Sequence, residues 1–287
     1  MIQLGTLQLY LIHDGTAMID PGGMFGLVPR KLWSRSIKPD DQHLIPMAVF
    51  SLLVRTGQHT ILIDTGFGEN KLDARQQRFW QFSRPRGSLF DALGRLGLGA
   101  EDIDIVIDTH LHADHCLGNT RITEAGEVVP SFPRARYVVQ RREYEDATQP
   151  NERTAATYFP VNYEPLYAAG KLELLDGETT ILPGIRGVPT PGHTPGHMSV
   201  VLESDGQTAV YLCDMASMAV HFERLAWMTA YDVEPLVTLA TKHTWHAWAL
   251  ETGALLFFPH DLQTPAGRLV HNADGRPSIQ PEPIHFV

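Results

Sequence analysis

The sequence contains only two cysteines, Cys116 and Cys213, in 287 residues. A chain of this length can bury a core without disulfides, so two reduced thiols in a cytoplasmic protein are the simplest expectation. The sequence also lacks an uninterrupted run of about eighteen apolar residues, so no transmembrane helix is predicted. The first residues, MIQLGTLQLYLIHDGT, have neither the basic start nor the continuous apolar stretch of a secretory signal.

Positive charge is scarce as well. Lysine and arginine number 23 against 33 acidic residues, and the formal net charge is −10. Because phosphate backbones and anionic membranes bind basic surfaces, neither nucleic acid nor a membrane is an expected partner. Hydrophobic residues make up 43% and charged residues 20%, which indicates a folded chain with a sizeable core.

Short apolar segments alternate with helical patterns along the chain. Strands are predicted at 7–15, 49–57, 60–66, 103–110, 136–140, 172–175, 185–188, 198–203, 209–213 and 254–258. Helices are predicted at 88–98, 141–147, 234–251 and, interrupted by Pro160 and Pro165, 151–169. This mixture predicts an α/β fold with two sheets, in one domain that spans residues 1–287.

Residues 20–46 are rich in glycine and proline and separate the first two predicted strands. An irregular loop of this length is often functional. Its apolar residues, Met24 and Phe25 among them, suit an acyl chain or an aromatic leaving group. The alternative is a loop that packs only on its own core.

Metal-binding side chains are concentrated in THLHADHCLG, residues 109–118. His110, His112, Asp114 and His115 follow the apolar run IVIDT. They are therefore expected at the end of a strand, where a turn can direct several side chains to one point. Imidazole and carboxylate donors suit zinc or a similar divalent ion. A polar surface loop is the alternative interpretation.

Three more candidate ligands each follow an apolar segment. His193 lies in TPGHTPGH, Asp214 ends AVYLCD, and His260 follows LLFFP. Since one zinc ion takes about four ligands, seven candidates predict two ions.

Together these motifs resemble the metallo-β-lactamase superfamily, whose HxHxDH signature is matched by HLHADH. GHTPGH, the Asp at a strand end, the late His and IDTG at 63–66 agree with it over nearly the whole chain. The resemblance implies an αββα sandwich, in which helices flank two mixed β-sheets. It implies that one ion is held by His110, His112 and His193, the other by Asp114, His115 and His260, and that Asp214 bridges them.

The same resemblance implies further roles. Asp64 and His197 match positions that hydrogen-bond the ligating side chains, although His197 in a simple turn is the alternative. The cofactor is expected to be two divalent ions, zinc first, with manganese, iron or cobalt also compatible with such ligands. A hydroxide shared by the ions would attack the substrate, and Asp114 would help to handle a proton. Cys116 and Cys213 are expected to be small buried side chains rather than ligands or redox groups.

Within the superfamily, the long N-terminal part looks like the N-acyl homoserine lactonase and methyl parathion hydrolase branch. Nucleases of the superfamily carry a large inserted domain, and glyoxalase II enzymes have the signature much nearer the N-terminus. One feature departs from the lactonases, many of which have a Tyr three residues after the bridging Asp, where this chain has Ser217. His221 is then the candidate catalytic donor, and Trp227 and Tyr231 are candidate pocket residues; ordinary packing is the alternative for each.

We therefore predict a dinuclear metal hydrolase that opens lactones or related esters, with quorum quenching as a potential role. Asp114, Asp214 and His221 are the predicted catalytic residues. A phosphotriesterase is the alternative enzyme, and a metal-binding sensor without catalysis is the alternative outside enzymes. The expected partner is a small ester or lactone, and the resemblance implies a homodimer.

Overall fold

The structure is a computed structural model that describes residues 1–69 and 71–287. Its strands are β1 (Ile2–Leu4), β2 (Leu7–Ile19), β3 (Ile45–Arg55), β4 (Thr60–Ile63), β5 (Ile105–Ile107), β6 (Thr120–Ile122), β7 (Val128–Pro130), β8 (Arg136–Gln140), β9 (Leu172–Leu175), β10 (Thr179–Leu182), β11 (Ile185–Pro189), β12 (Met198–Ser204), β13 (Gln207–Tyr211), β14 (Leu255–Phe257), β15 (Ala266–His271) and β16 (Pro277–Pro281). Its α-helices are α1 (Pro21–Phe25), α2 (Arg30–Trp33), α3 (Ala74–Trp80), α4 (Leu89–Arg95), α5 (Ala113–Cys116), α6 (Arg141–Thr148), α7 (Glu164–Ala168), α8 (Ala219–Glu223) and α9 (Pro235–Thr252).

Two mixed seven-stranded sheets form the framework. The first has the order β1–β2–β3–β4–β5–β8–β9, antiparallel from β1 to β4 and parallel from β4 to β9. The second runs from β10 to β16 in sequence order, and β13 and β14 are its parallel pair. A separate two-stranded ribbon joins β6 and β7.

The main core lies between the sheets, and helices cover both outer faces. Because successive strand residues point to opposite faces, Ile61 and Ile63 of β4 join the central core whereas Leu62 joins the outer one. Leu89 of α4 and Leu166 of α7 pack on that outer face of the first sheet. Phe222 of α8 and Ala249 of α9 cover the second sheet in the same way. The predicted αββα sandwich is therefore confirmed.

The helix predicted at 151–169 is wrong. The chain forms turns there, then a 3₁₀ segment at Pro160–Asn162, and only α7 is α-helical. Proline has no N–H to donate and crowds the preceding turn, so two prolines divide this segment into short pieces. The strand predicted at 103–110 is also shorter, because the chain leaves the sheet after Ile107. Several short elements were not predicted, among them β1, α3, α5, β6, β7, β10, α8, β15 and β16.

The segment 20–46 is ordered and contains two short helices instead of being irregular throughout. Asp20 caps α1 by accepting a hydrogen bond from Gly22 N at 2.6 Å, and Pro21 occupies the first turn. Met24, Phe25 and Trp33 are buried in a satellite core with residues of β3. The segment is thus a packed wall at one end of the sheets.

The longest helix is α9, close to its predicted bounds. It ends at Gly253, whose φ of +60° is the left-handed conformation that glycine adopts readily at a helix end. Within the described ranges, no helix combines the length and the hydropathy needed to cross a membrane.

Candidate metal centre and active site

The seven candidate ligands come from four places in the chain that meet at one edge of the sandwich. β5 ends just before the HLHADH turn, and α5 carries the last two ligands of that turn. His193 follows β11, Asp214 follows β13 within a 3₁₀ turn, and His260 follows β14. A hydrogen bond from His260 N to Ser217 O at 3.0 Å joins the last two segments.

The first group consists of His110, His112 and His193. Their ligand nitrogens lie within 4.8 Å of one another, and all three side chains are buried. His110 Nε2 is buried without a hydrogen-bond partner among the described residues, so its lone pair is available to a metal ion. Burial lowers the pKa of His110 and of His112 well below the usual value. Both rings are therefore neutral, as metal ligands must be.

The second group consists of Asp114, His115 and His260, whose ligand atoms also lie within 4.8 Å of one another. Nε2 of His115 is 3.2 Å from Nε2 of His260. Asp114 Oδ2 lies 3.6 Å and 3.5 Å from these two nitrogens. Asp114 is the most accessible of the three side chains.

Asp214 lies between the two groups. Its Oδ2 is 3.3 Å from His193 Nε2 and 3.7 Å from His115 Nε2, while Oδ1 is 3.1 Å from His260 Nε2. Burial alone would raise the pKa of Asp214, but charge on His260, His193 and His115 outweighs it and holds the pKa well below the usual value. An ionised carboxylate thus contacts both groups. Together with the unpartnered His110 nitrogen, this nitrogen and oxygen donor set fits divalent metal ions.

Asp64 hydrogen-bonds His115 of the second group on the side of the ring away from the other candidate ligands. His115 Nδ1 donates to Asp64 Oδ2 at 2.9 Å, and Thr109 donates to Asp64 Oδ1 through both N and Oγ1 at 2.9 Å. Asp64 has a φ of +56°, a conformation that Asp tolerates better than most residues. The hydrogen bond fixes the ring orientation and leaves Nε2 facing the other ligands.

We expect Asp64→Asn to weaken metal binding by about 10- to 100-fold. In the variant an amide NH₂ group, which cannot accept, replaces one of the two oxygens that accept hydrogen bonds from His115 and Thr109. Competition with a chromogenic chelator measures this affinity. Asp205→Asn, at an exposed turn between β12 and β13, is the matched control. Equal affinity in both variants would contradict the role assigned to Asp64.

His197 holds a main chain rather than an ion. Its Nε2 accepts a hydrogen bond from Asp214 N at 3.1 Å, and Nδ1 lies 2.8 Å from Thr190 Oγ1. Burial lowers the pKa of His197 to about 3, so the ring is neutral and Nε2 is free to accept. The alternative of a turn residue without a role at this site is thus disfavoured, since His197 positions the carboxylate between the two groups.

Asp232 is a supporting residue that the sequence did not reveal. Asp232 Oδ1 accepts from His193 Nδ1 at 2.9 Å and from Thr229 Oγ1 at 2.8 Å. It therefore orients His193 as Asp64 orients His115. No motif surrounds it, and only the tertiary fold brings it to His193.

Glu143 of α6 is a second such residue. This fully buried carboxylate accepts from Leu111 N at 2.9 Å and from Tyr158 OH at 3.1 Å, and its other oxygen accepts from Thr194 Oγ1. It thus joins the HLHADH turn to the GHTPGH turn. Glu143 is one of three acidic residues in RREYED, and nothing in that segment marked it for this contact.

A pocket of about 50 Å³ opens onto the ligands. Besides five of the ligands, its described walls comprise Met24, Met47, Trp80, Thr157, Ser217, Thr229 and Tyr231. Of the predicted substrate-binding residues, Met24 and Tyr231 lie here. Trp80, on the unpredicted helix α3, also lines the pocket and was not predicted to do so. Ser217 contributes a buried hydroxyl without a hydrogen-bond partner in the described part of the chain.

Three predicted residues lie elsewhere. Phe25 stacks on Trp33 with ring centroids 5.3 Å apart, and Trp227 packs edge-on against Phe25 at 5.9 Å. His221 also packs edge-on against Phe25, at 5.4 Å, and is not in the pocket wall formed by the described residues. Burial lowers the pKa of His221 to about 3, so its ring is neutral. Trp227 and His221 thus pack against Phe25, and none of the three lines the pocket at the candidate ligands.

Both cysteines are free and buried. Cys213 Sγ lies 3.5 Å from His115 Nδ1 and 3.8 Å from His110 Nδ1. These are the ring nitrogens opposite the ones that face the other ligands, and burial raises the pKa of the Cys213 thiol well above its usual value. The contacts are those of a small neutral side chain behind the site.

The profile of the Metallo-beta-lactamase superfamily matches residues 44–250. Among curated proteins, an N-acyl homoserine lactonase of a Bacillus species is 25% identical over 270 residues, which cover 91% of this chain and 95% of that protein. The lactonase AttM of Rhizobium radiobacter is 26% identical over 220 residues, covering 69% and 79%.

Solved structures agree with this fold. A probable metal-dependent hydrolase from Staphylococcus aureus has a TM-score of 0.87 and 28% identity, covering 99% of this chain and all of that one. AidC, a dizinc quorum-quenching lactonase, has a TM-score of 0.79 at 22% identity, covering 99% and 97%. The relatives and structural neighbours are metal-dependent hydrolases, and so is this protein.

Proposed function

The chain belongs to the metallo-β-lactamase superfamily, and from this premise we propose that it is a dinuclear enzyme that opens lactone rings. One observation carries the proposal: the Asp214 carboxylate contacts ligands of both groups, which is the arrangement that two neighbouring ions require. The lactonase relatives support the choice of substrate class. N-acyl homoserine lactones are the first candidates, and their hydrolysis would quench quorum sensing.

Two ions held by these ligands would supply a nucleophile from water at neutral pH and polarise the attacked carbonyl group. The protein's own residues would organise the ligands, transfer the proton and bind the substrate. Asp214 holds the two groups together, and Asp114, the accessible carboxylate, can pass a proton to the leaving alkoxide. Ser217 and Tyr231 line the same pocket, and their hydroxyl groups are candidates for binding polar groups of the lactone. We propose no catalytic step for His221.

The narrow pocket favours compact substrates. Its volume of about 50 Å³ is small beside the several hundred Å³ of typical ligand sites, and Met24, Met47 and Trp80 wall it in. We therefore propose that short acyl chains are preferred over long ones.

The test is the initial rate of the metal-loaded protein on γ- and δ-lactones, followed by acid release. We expect kcat/KM on the order of 10⁴ M⁻¹s⁻¹ or more for the best lactone, and a butanoyl homoserine lactone to exceed its dodecanoyl counterpart. Heat-treated protein and free metal ions are the controls. Absence of turnover on every lactone would reject the lactonase proposal.

A phosphotriesterase remains the second candidate at the same site. Trp80 and Tyr231 give the pocket aromatic walls that suit an aromatic leaving group. Nitrophenyl phosphotriesters belong in the same assay. Turnover of these compounds without lactone turnover would favour this candidate. Binding of metal without hydrolysis of any substrate would instead favour a sensor.

Zinc is the ion we propose, because the five imidazoles and two carboxylates of the candidate ligand set are donors that zinc accepts well. Elemental analysis of purified protein would give both the metal and its number per chain. Manganese, iron and cobalt remain alternatives.

We also propose a homodimer, on the resemblance alone, and a cytoplasmic location, which the two free thiols support. Light scattering would give twice the chain mass of 32.0 kDa for a dimer. Cell fractionation tests the location.

A further inference from the structure

A second cavity lies on the opposite side of the wall that encloses the metal pocket. It is an open groove of about 740 Å³ between the 22–32 region and the 226–236 region. Met24 and Tyr231 line the metal pocket, whereas their neighbours Phe25 and Ala230 line the groove. Thr229 lines both cavities. The groove and the metal pocket are therefore on opposite sides of the same two chain segments. No candidate metal ligand lines the groove, and the proposed reaction does not involve it.

The groove is mainly apolar. Its volume falls within the range of small-molecule sites, unlike that of the metal pocket. Leu27 and Leu236 at its edges are largely exposed, although leucine is normally withdrawn from water. Its apolar lining includes Phe25, Leu32, Trp227, Met228 and Pro235. A long aliphatic chain could replace water along this surface.

One cation lies beside this apolar surface. Arg153 lines the groove, and its Nη2 donates to Ala230 O at 2.8 Å and to Asp232 O at 3.3 Å. These partners are uncharged carbonyls, and no described carboxylate lies within ion-pair distance of Arg153. The acidic lining residue, Asp232, already accepts from His193 and Thr229. In a chain of net charge −10, the groove thus offers an unneutralised guanidinium.

We propose that this groove binds an aliphatic carboxylate, with the tail along Phe25, Leu32 and Trp227 and the carboxylate on Arg153. The remaining N–H groups of the Arg153 guanidinium can donate charge-assisted hydrogen bonds to a carboxylate, and the apolar walls favour the tail. The site does not depend on which ester the enzyme hydrolyses.

The test is calorimetric titration of the metal-loaded protein with decanoate below its micelle-forming concentration. We expect saturable binding of one molecule per chain, weakened about tenfold or more in Arg153→Gln, which removes a charge-assisted hydrogen-bond donor. Arg142→Gln is the matched control, since Arg142 is an exposed arginine whose partner is Asp146 on the same helix. Leu236→Glu is a second variant that opposes the ligand by charge, and we expect it to weaken binding too. Decanol, which lacks the charge, should lose little affinity in Arg153→Gln.

Two other outcomes would overturn the proposal. Decanoate binding that survives Arg153→Gln and Leu236→Glu but is lost in Asp214→Asn would place the carboxylate at the metal centre. A dimer, detected by light scattering, that excludes decanoate would make the groove an interface between two copies. If the parent protein hydrolyses no lactone but binds decanoate as expected, the proposed function is rejected and the binding site in the groove is still supported.

Discussion

Replacing Asp214 by Asn is expected to lower kcat/KM by about 10²- to 10³-fold or more for whichever ester proves to be the substrate. The substitution is nearly isosteric, so the fold should remain. It removes the negative charge that His193, His115 and His260 surround at 3.1–3.7 Å. The remaining ligands would then hold two cations without the carboxylate shared between them. Metal content, measured by elemental analysis alongside the rates, should fall as well.

The matched control for this variant is again Asp205→Asn, which changes the net charge equally at an exposed turn. A second control is the far-ultraviolet circular dichroism of both variants, which should match that of the parent protein. Full activity and full metal content in Asp214→Asn would be incompatible with a bridging carboxylate. Normal activity with one metal per chain would instead support a mononuclear enzyme.

The seven candidate metal ligands could be found from the sequence because each group of them follows a short apolar strand. The pattern IVIDTH predicts a buried strand that ends in polar residues, and β13 and β14 repeat it before Asp214 and His260. Strand ends meet at the edge of a sandwich, so local sequence already implied a common site. The two-sheet architecture followed from the same alternation of strands and helices.

The pocket was much less predictable. Met24 and Phe25 are adjacent and equally apolar, yet the turn of α1 directs one to the metal pocket and the other to the outer groove. In so short a helix, neither hydrophobic periodicity nor composition tells which of two neighbouring side chains faces the pocket. Trp80 enters the pocket from α3, a seven-residue helix without a buried residue and therefore without an apolar stripe in its sequence.

Two of the supporting carboxylates, unlike Asp64, were unpredictable for a different reason. Asp232 reaches His193 across 39 positions, and Glu143 reaches Leu111 across 32. Nothing local marks an acidic residue as buried, and acidic residues are exposed in most proteins. Only the assembled fold gives these two side chains their partners.

Glu143→Ala is expected to lower the free energy of unfolding by about 3 kcal/mol or more, because it leaves buried donors without an acceptor. Leu111 N, Tyr158 OH and Thr194 Oγ1 all donate to this carboxylate. Leu111 lies between two ligands of the HLHADH turn, and Thr194 directly follows His193. Loss of Glu143 therefore also loosens the two turns that form the first ligand group. Denaturant unfolding, with and without added metal, measures the change.

Glu143→Gln separates this hydrogen bonding from simple space filling. The amide keeps one acceptor oxygen for Leu111 N and Tyr158 OH, and the Thr194 hydroxyl can turn to accept from the new amide group. We therefore expect Glu143→Gln to lose much less stability than Glu143→Ala and to retain metal binding. Equal destabilisation by both variants would show that the negative charge matters rather than the acceptors. Parent-like stability in Glu143→Ala would show that these turns are held together by their other contacts, with Glu143 adding little.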